Sequence, residues 1–333
     1  MIQNRIPIFL ASDEKYVKYM TVAITSILSN TKSYINFYIL DGGISDFSKN
    51  KIEELKTQFK NFSIEYLKIN IEKFNNFPNI GHFSLNMYFR YLISSLKPEI
   101  KKALYIDSDM IINGDIKELF LINLDNKPIA AVPYLHENIT YKRTSEYRWT
   151  QKVKKKLDLE QSHNYFNSGM LIMDLEFFRK NRIQEKLFEL TNQLGDKLEC
   201  PDQDILNICF ENNYKILEDK YNIIVDLTLN LAPKKLKTAF VLHFTGCRCR
   251  PWLKSNCVES EKFWNYANKT PFCNELRWEL LFNELEYTNN LINIKSNKNK
   301  YLYNKFMSKV TFGKVKNIFK TELIKYKTKI KTI

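Results

Sequence analysis

Asp107 and Asp109 stand one serine apart in ALYIDSDMIINGDIKEL (103–119), where an apolar run opens directly onto two carboxylates. Residues two apart at a strand exit lie on the same side, so both acids can address one point. Two hard oxygen donors there suit a divalent cation, which would in turn bridge to phosphate oxygens. Spacing alone says little, because one D-x-D pair arises by chance in a chain of 333 residues, and Asp202-Gln203-Asp204 is a second. The plainer alternative is a solvated acid beside a helix-capping one. His243 adds weight, being one of four histidines and closing another apolar run, Val241-Leu242. A lone histidine in such a place is ordinarily a satisfied core or loop residue. With two aspartates it completes an O,O,N donor set, which favours Mn2+ over Mg2+ because imidazole suits borderline metals. Just downstream, Thr245-Gly246 and Arg248, Arg250-Pro251-Trp252 supply a small backbone turn and guanidinium groups able to grip a diphosphate.

These side chains need a scaffold that gathers strand ends. IPIFLA (6–11) reads as a short apolar strand, Lys15 to Asn30 as a helix through Tyr19, Val22, Ala23 and Ile27, and INFYILD (35–41) as a second strand. Ser45 can cap a helix running toward Phe59. FSIEYLKI (62–69) alternates as a strand does, and Ser84 opens a helix through Tyr91 and Leu96 before the ALYID strand. Repeated β-α-β units predict an α/β fold with a mostly parallel, doubly wound sheet. Ligands of such sheets bind at the carboxyl ends of the strands, where Asp41 and Asp107 both stand. Residues 136–164 read as a polar, mobile loop. FNSGMLIMD (166–174) and TAFVLHFTG (238–246) read as further strands, and Pro201-Asp202-Gln203-Asp204 as a helix start. The chain has eight glycines and neither GxGxxG nor GxxxxGK[ST], which excludes a dinucleotide fingerprint and a Walker loop.

Composition, 44% hydrophobic and 26% charged, is that of a globular protein. No apolar run approaches the roughly eighteen residues of a membrane span. The short apolar N-terminus with acids close behind does not read as a signal peptide, so a cytosolic chain with reduced thiols is expected. Of the six cysteines, Cys247-x-Cys249 with Cys257 lacks the paired C-x2-C spacing of structural zinc. Net charge is +14 and unevenly spread: residues 295–333 hold 12 Lys, no Arg and one acid, Glu322. Between those lysines, Phe306, Val310, Val315, Ile318, Phe319 and Leu323 recur at spacings of three and four, the pattern of a basic amphipathic helix on an anionic membrane. The alternative is a solvated tail laying one stripe on its own domain. Lysine without arginine beside a nearly neutral body argues against nucleic acid. The expected organisation is a catalytic domain at 1–255, a helical extension at 256–294 and a membrane-associating tail at 295–333.

Six segments in order, FLASDEKY near the start, HFSLNMYFRYL (82–92), ALYIDSDMIINGDIKEL, FNSGMLIMDL (166–175), PDQDILN (201–207) and HFTG…RPW (243–252), resemble glycosyltransferase family 8. That family includes the retaining galactosyl- and glucosyltransferases of bacterial lipooligosaccharide and, more distantly, glycogenin. The resemblance implies a GT-A-like nucleotide-binding fold. It implies transfer of galactose or glucose from a UDP-hexose to a glycan or glycolipid acceptor, of lipooligosaccharide or lipopolysaccharide, and the basic tail would bring the enzyme to that acceptor at the inner face of the cytoplasmic membrane. It further implies that Asp107, Asp109 and His243 ligate Mn2+, or Mg2+ in its place. Ala11, Asp13, Tyr16 and Ser108 would meet the nucleotide, with Gly246 and Arg250 at its diphosphate. Arg90, Asn167, Gly169, Asp202 and Gln203 would surround the donor sugar, Gln203 and Asp202 being the catalytic candidates, and His82 would face the acceptor. The chain departs from the pattern at Lys15, where many members carry asparagine, and at Arg250, where a lysine usually precedes Pro-Trp. A retaining outcome needs either a nucleophile on the β-face of the sugar or front-face attack by the acceptor, and the residues leave both open. Two rival readings compete. A phosphohydrolase of the haloacid dehalogenase type also places D-x-D after an apolar strand, but near the start of its domain and with Thr or Val where Ile111 stands. A non-enzymatic protein binding anionic membranes would need only the tail.

Overall fold

Along Arg5–Ser12 the side chains alternate between two apolar layers: Ile8 and Leu10 enter one and Phe9 the other, all fully buried. A strand buried on both faces belongs at the centre of a sheet covered by helices. The computed structural model describes residues 5–78, 84–135, 144–226, 233–246 and 250–287. Two units divide the chain, residues 1–280 and 281–333, and every described strand lies in the first.

The strands are β1 (Arg5–Ser12), β2 (Tyr34–Asp41), β3 (Phe62–Lys68), β4 (Lys102–Ile106), β5 (Met110–Ile112), β6 (Ile129–Ala131), β7 (Met170–Asp174), β8 (Lys215–Ile216), β9 (Ile223–Ile224) and β10 (Val241–His243). Seven form a sheet in the order β3-β2-β1-β4-β7-β6-β8. All of its pairings are parallel except those of β7, which runs against both β4 and β6. The other three form a small sheet, β5-β10-β9. The helices are α1 (Val17–Asn30), α2 (Asp46–Glu53), α3 (Ile93–Leu96), α4 (Ile116–Leu121), α5 (Ser145–Lys156), α6 (Leu175–Lys180), α7 (Ile183–Leu194), α8 (Pro201–Cys209) and α9 (Ser260–Ala267). On one face of the large sheet lie Met20, Ile24 and Ile27 of α1 and Phe263 of α9; on the other lie Phe178, Leu187 and Leu206 of α6, α7 and α8. This is the α/β, mostly parallel, doubly wound arrangement that the strand and helix alternation predicts.

Local chemistry explains most boundaries. Ser45 caps α2 by accepting from Ser48 N, and Pro201 occupies the first turn of α8, where its missing N–H costs nothing. Three expectations need correction. The stretch read as a mobile loop contains α5, capped by Thr144 and anchored by the buried Val153 and Lys154; Lys152, Lys155 and Lys156 face solvent and hide an ordinary surface helix. The helix expected from Ser84 begins as a 3-10 helix, Leu85–Leu92, before α3. Five consecutive residues there, Tyr88 to Leu92, are buried, so packing on all sides outweighs the α period. The strand expected over 238–246 is confined to β10 and joins the small sheet rather than the large one. The lysine-rich tail lies outside the described residues. Among those described, no helix is long and apolar enough to cross a membrane.

Candidate active site

β4 ends at Ile106, and the next residue, Asp107, donates its backbone N–H to the carbonyl of Gly169 at the head of β7 (2.8 Å). Asp109 immediately precedes β5, whose first residue, Met110, is in register with His243 at the end of β10. The two sheets therefore meet where their strands stop. One ligand atom from each of Asp107, Asp109 and His243 lies within 4.8 Å of the others, and no other such group occurs among the described residues. His243 Nε2 is 3.2 Å from Asp109 Oδ1. Burial alone would raise the Asp109 pKa, but the imidazole beside it and Arg250 hold the carboxyl below its usual range.

The residues fit a divalent cation. Asp107 spends Oδ1 on Arg90 Nη2 (2.9 Å) and Tyr105 Oη (2.8 Å). Its Oδ2 lies on the side of Gly169, where an added Cβ would stand 2.7 Å from that oxygen and 2.6 Å from His243 Cε1. Glycine keeps clear the space onto which two carboxylates and an imidazole converge.

Arg90 braces this corner. Its Nε donates to Met87 O (2.9 Å) and its Nη1 to Ser168 O (2.7 Å), the same nitrogen pairing with Asp202 Oδ2 (3.2 Å). The guanidinium also lies 4.2 Å from the centre of the Tyr105 ring. Burial raises the Asp202 carboxyl above its ordinary pKa even with Arg90 alongside. Asn167 Nδ2 donates to Gln203 Oε1 (2.8 Å), and Gln203 Nε2 donates to Tyr165 Oη (3.1 Å). Tyr165 in turn donates to Asp204. Asn167, Asp202 and Gln203 line one cleft of about 330 Å³ together with Asp107, His243, Tyr134 and Trp149. Trp149 is fixed by its indole N–H to Glu199 (2.9 Å). An open groove of about 790 Å³, lined by Asn113, Lys220 and Lys262, is larger but gathers no such ligand cluster.

The residues expected at the nucleotide group along the end of β1. Ser108 Oγ donates to Ala11 O (2.8 Å), which ties the D-x-D turn to that strand. Asp13 accepts from Tyr16 N and from Asn86 Nδ2, both at 2.9 Å, and Tyr16 stands at the head of α1. Tyr16 meets Tyr19 edge-on at 5.4 Å, Tyr19 stacks on Trp252 at 4.3 Å, and Arg250 lies 5.9 Å from the Trp252 ring. The Arg250 Nε is buried and has no hydrogen-bond partner among the described residues. Gly246 has φ of +92°, and a Cβ there would lie 2.8 Å from Asp226 Oδ2. Asp41 ends β2 but serves its own loop, accepting from Gly43 and Ile44 N and pairing with Lys49 (2.7 Å). His82, Arg248, Cys247 and Cys249 lie outside the described residues. The other four cysteines are thiols.

Sequence reasoning did not find Tyr105, Tyr165 or Asn222. Tyr105 sits two residues before Asp107, so strand alternation carried a signal for it. Asn222, which meets His243 Nδ1 through its Oδ1 (3.1 Å), is 21 residues away and shares no local pattern with it.

The family model described as glycosyl transferase family 8 matches residues 7–256. A putative glycosyltransferase of Haemophilus influenzae is 31% identical over 216 residues, 65% of this chain but only 62% of that protein. The match thus covers less than two thirds of that relative's length. The lipopolysaccharide 1,2-glucosyltransferase of Escherichia coli K12 is 29% identical over 265 residues, 77% of this chain and 75% of that one. Among solved structures, the galactosyltransferase LgtC in complex with donor and acceptor sugar analogues aligns with a TM-score of 0.67 at 25% identity, covering 80% of this chain and 96% of LgtC. Neither the phosphohydrolase reading nor the purely membrane-binding one finds support in these comparisons. A family match that runs from β1 past β10 and takes in every residue of the Asp-Asp-His corner leaves one assignment: the chain belongs to glycosyltransferase family 8.

Proposed function

We propose that the protein is a divalent-metal-dependent, retaining hexosyltransferase that moves galactose or glucose from a UDP-hexose to a glycan or glycolipid acceptor of the lipopolysaccharide kind. The observation that carries this reading is the convergence of Asp107, Asp109 and His243 on the space that Gly169 leaves open. Two relatives are named lipopolysaccharide 1,2-glucosyltransferase and lipopolysaccharide 1,3-galactosyltransferase, which supports the acceptor class and keeps both hexoses in view.

A cation held by Asp107, Asp109 and His243, Mn2+ in this reading with Mg2+ as the substitute, would neutralise charge on UDP as the sugar–phosphate bond breaks. Arg250 supports the same anion with its guanidinium, and Gly246 lets the backbone turn approach it. Tyr16 at the head of α1 offers a ring for the uracil, with Ala11, Asp13 and Ser108 beside the ribose. Arg90, Asn167, Gly169, Asp202 and Gln203 hold the sugar. Asp202 Oδ2 accepts from Ser168 Oγ (3.1 Å) and pairs with Arg90, while Gln203 Oε1 accepts from Asn167 Nδ2 and Ser168 N. Both side chains are engaged in holding the cleft, which favours front-face attack by the acceptor hydroxyl over a covalent intermediate on either. Tyr134, Trp149 and Glu146 of the cleft give an aromatic face and a carboxylate suited to an acceptor sugar, and His82 is the further acceptor residue in this reading.

The reading includes a place in the cell. Residues 1–255 carry the catalysis and 256–294 a helical extension, and the lysine-rich residues 295–333 hold the enzyme to the anionic, cytoplasmic face of the membrane. Leu281, Phe282 and Leu285, which precede that tail in the sequence, are exposed at 48%, 68% and 56% and add apolar surface. Nucleic acid has no part in it. The test is incubation with Mn2+ and a panel of UDP-sugars, following UDP release. Release from one UDP-hexose that stops on chelation and returns with Mn2+ is expected; no release from any of them overturns the reading.

A further inference from the structure

We propose that Asn222 is the positioning residue that sets His243 up as a metal ligand and ties it to Gln203; the proposal deepens the metal-binding reading above and rests on it. Asn222 precedes β9 and is 5% exposed. The orientation of each amide between His243 and Gln203 follows from groups that can only donate. Gly169 N donates to Asn167 Oδ1 (3.1 Å) and Ser168 N to Gln203 Oε1 (3.2 Å), so both of those atoms are oxygens. Asn167 therefore turns its NH2 to Gln203 (2.8 Å), and Asn222 meets Asn167 Oδ1 with its own NH2 (2.8 Å). That leaves Asn222 Oδ1 against His243 Nδ1 (3.1 Å), which must carry the proton. Nε2, on the Asp109 side, is the nitrogen left for a metal.

One amide thus fixes the tautomer and ring rotation of the ligand and links it, through Asn167, to the Gln203 amide. The other described histidine is a built-in contrast. His163 Nδ1 accepts from Asn212 N (3.2 Å) and its Nε2 donates to Asn207 Oδ1 (3.0 Å), the opposite tautomer, used for packing.

The experiment is 15N-histidine NMR of the full-length, metal-free protein at about pH 8, where a free imidazole is neutral, followed by Mn2+ titration calorimetry. Wild type should show the Nδ1–H tautomer at His243 and the Nε2–H tautomer at His163. Asn222→Ala should release His243 into mixed tautomers and weaken Mn2+ binding about 10- to 100-fold, the usual cost of losing a histidine's outer partner. Asn222→Asp still accepts from Nδ1–H but cannot donate to Asn167; it should keep the tautomer and the Mn2+ affinity while kcat falls. Unchanged tautomer and Mn2+ affinity in Asn222→Ala would overturn the proposal. If that variant does not fold, mixed tautomers at His243 in Asn222→Asp would overturn it instead. A wild-type protein that binds no Mn2+ would overturn the metal reading, and the tautomer comparison would still judge Asn222.

Discussion

The chain contains the same three-residue spacing twice, Asp107-Ser108-Asp109 and Asp202-Gln203-Asp204, and the two do different work. The first leaves a strand and enters a turn, so both carboxylates reach the His243 corner. The second lies in the first turn of α8, where residues two apart face away from each other. Asp202 reaches Ser168 and Arg90. Asp204, on the other side, accepts from Glu199 N (2.7 Å), Cys200 N (3.0 Å) and the Tyr165 hydroxyl. One pair joins the Asp-Asp-His cluster and the other forms a brace, and Arg90 links them by contacting Asp107 and Asp202 at once. Backbone conformation, rather than spacing, decides what a D-x-D can do.

The contrast breaks most sharply at Asp109. Asp109→Ala should lower kcat/KM by about 10³-fold or more and abolish Mn2+-dependent UDP binding, with the melting temperature little changed. UDP-release kinetics and calorimetry decide it, and retained Mn2+-dependent binding would erase the distinction between the pairs. Arg90→Met tests the link. It strands two carboxylates without their cation and should cost about 3 kcal/mol of stability in urea unfolding. Asp204→Asn tests the brace. Burial lifts the Asp204 carboxyl from an ordinary 3.8 to about 6 against three hydrogen bonds that favour its charged form. The folded state therefore binds this proton more tightly than the unfolded chain does. Its contribution to stability is greatest below about pH 4 and is lost as the pH rises through about 6. Replacing it should flatten that part of the stability profile by on the order of 2 kcal/mol, measured as urea midpoints from pH 4 to about pH 7, while Mn2+ binding persists.

Much of the first half of the chain was legible because its signals are local. The alternation of Ile8, Phe9 and Leu10, the cap at Ser45 and the Pro201 helix start each depend on neighbours a few residues away. The ligand set was legible in part: Asp107 and Asp109 announce a strand exit, and His243 joined them through an ordered series of motifs rather than any spacing to them. What escaped reading depends on distant packing. The 3-10 geometry of Leu85–Leu92 follows from burial on every side, α5 conceals its order behind lysines, and β10 sits in a second sheet because it pairs with β5 and β9. Asn222 left no trace because a partner on a neighbouring strand, 21 residues away, has no period.

The reversed strand β7 carries one more consequence. A parallel strand contributes the loop that follows it to the top of a sheet, but β7 contributes the chain that leads into it, so Asn167 to Gly169 arrive beside Asp107 from residues 132–169. That same excursion carries Tyr134 and Trp149 to the far wall, while β1 and the D-x-D turn hold the other side. The cleft is therefore lined from both sides of β7, by the excursion that leads into it and by the D-x-D turn at the end of β4. An exchange confined to the surroundings of Tyr134 and Trp149 can reshape one wall of the cleft, while Asn167 to Gly169 at the end of the excursion stay fixed beside Asp107.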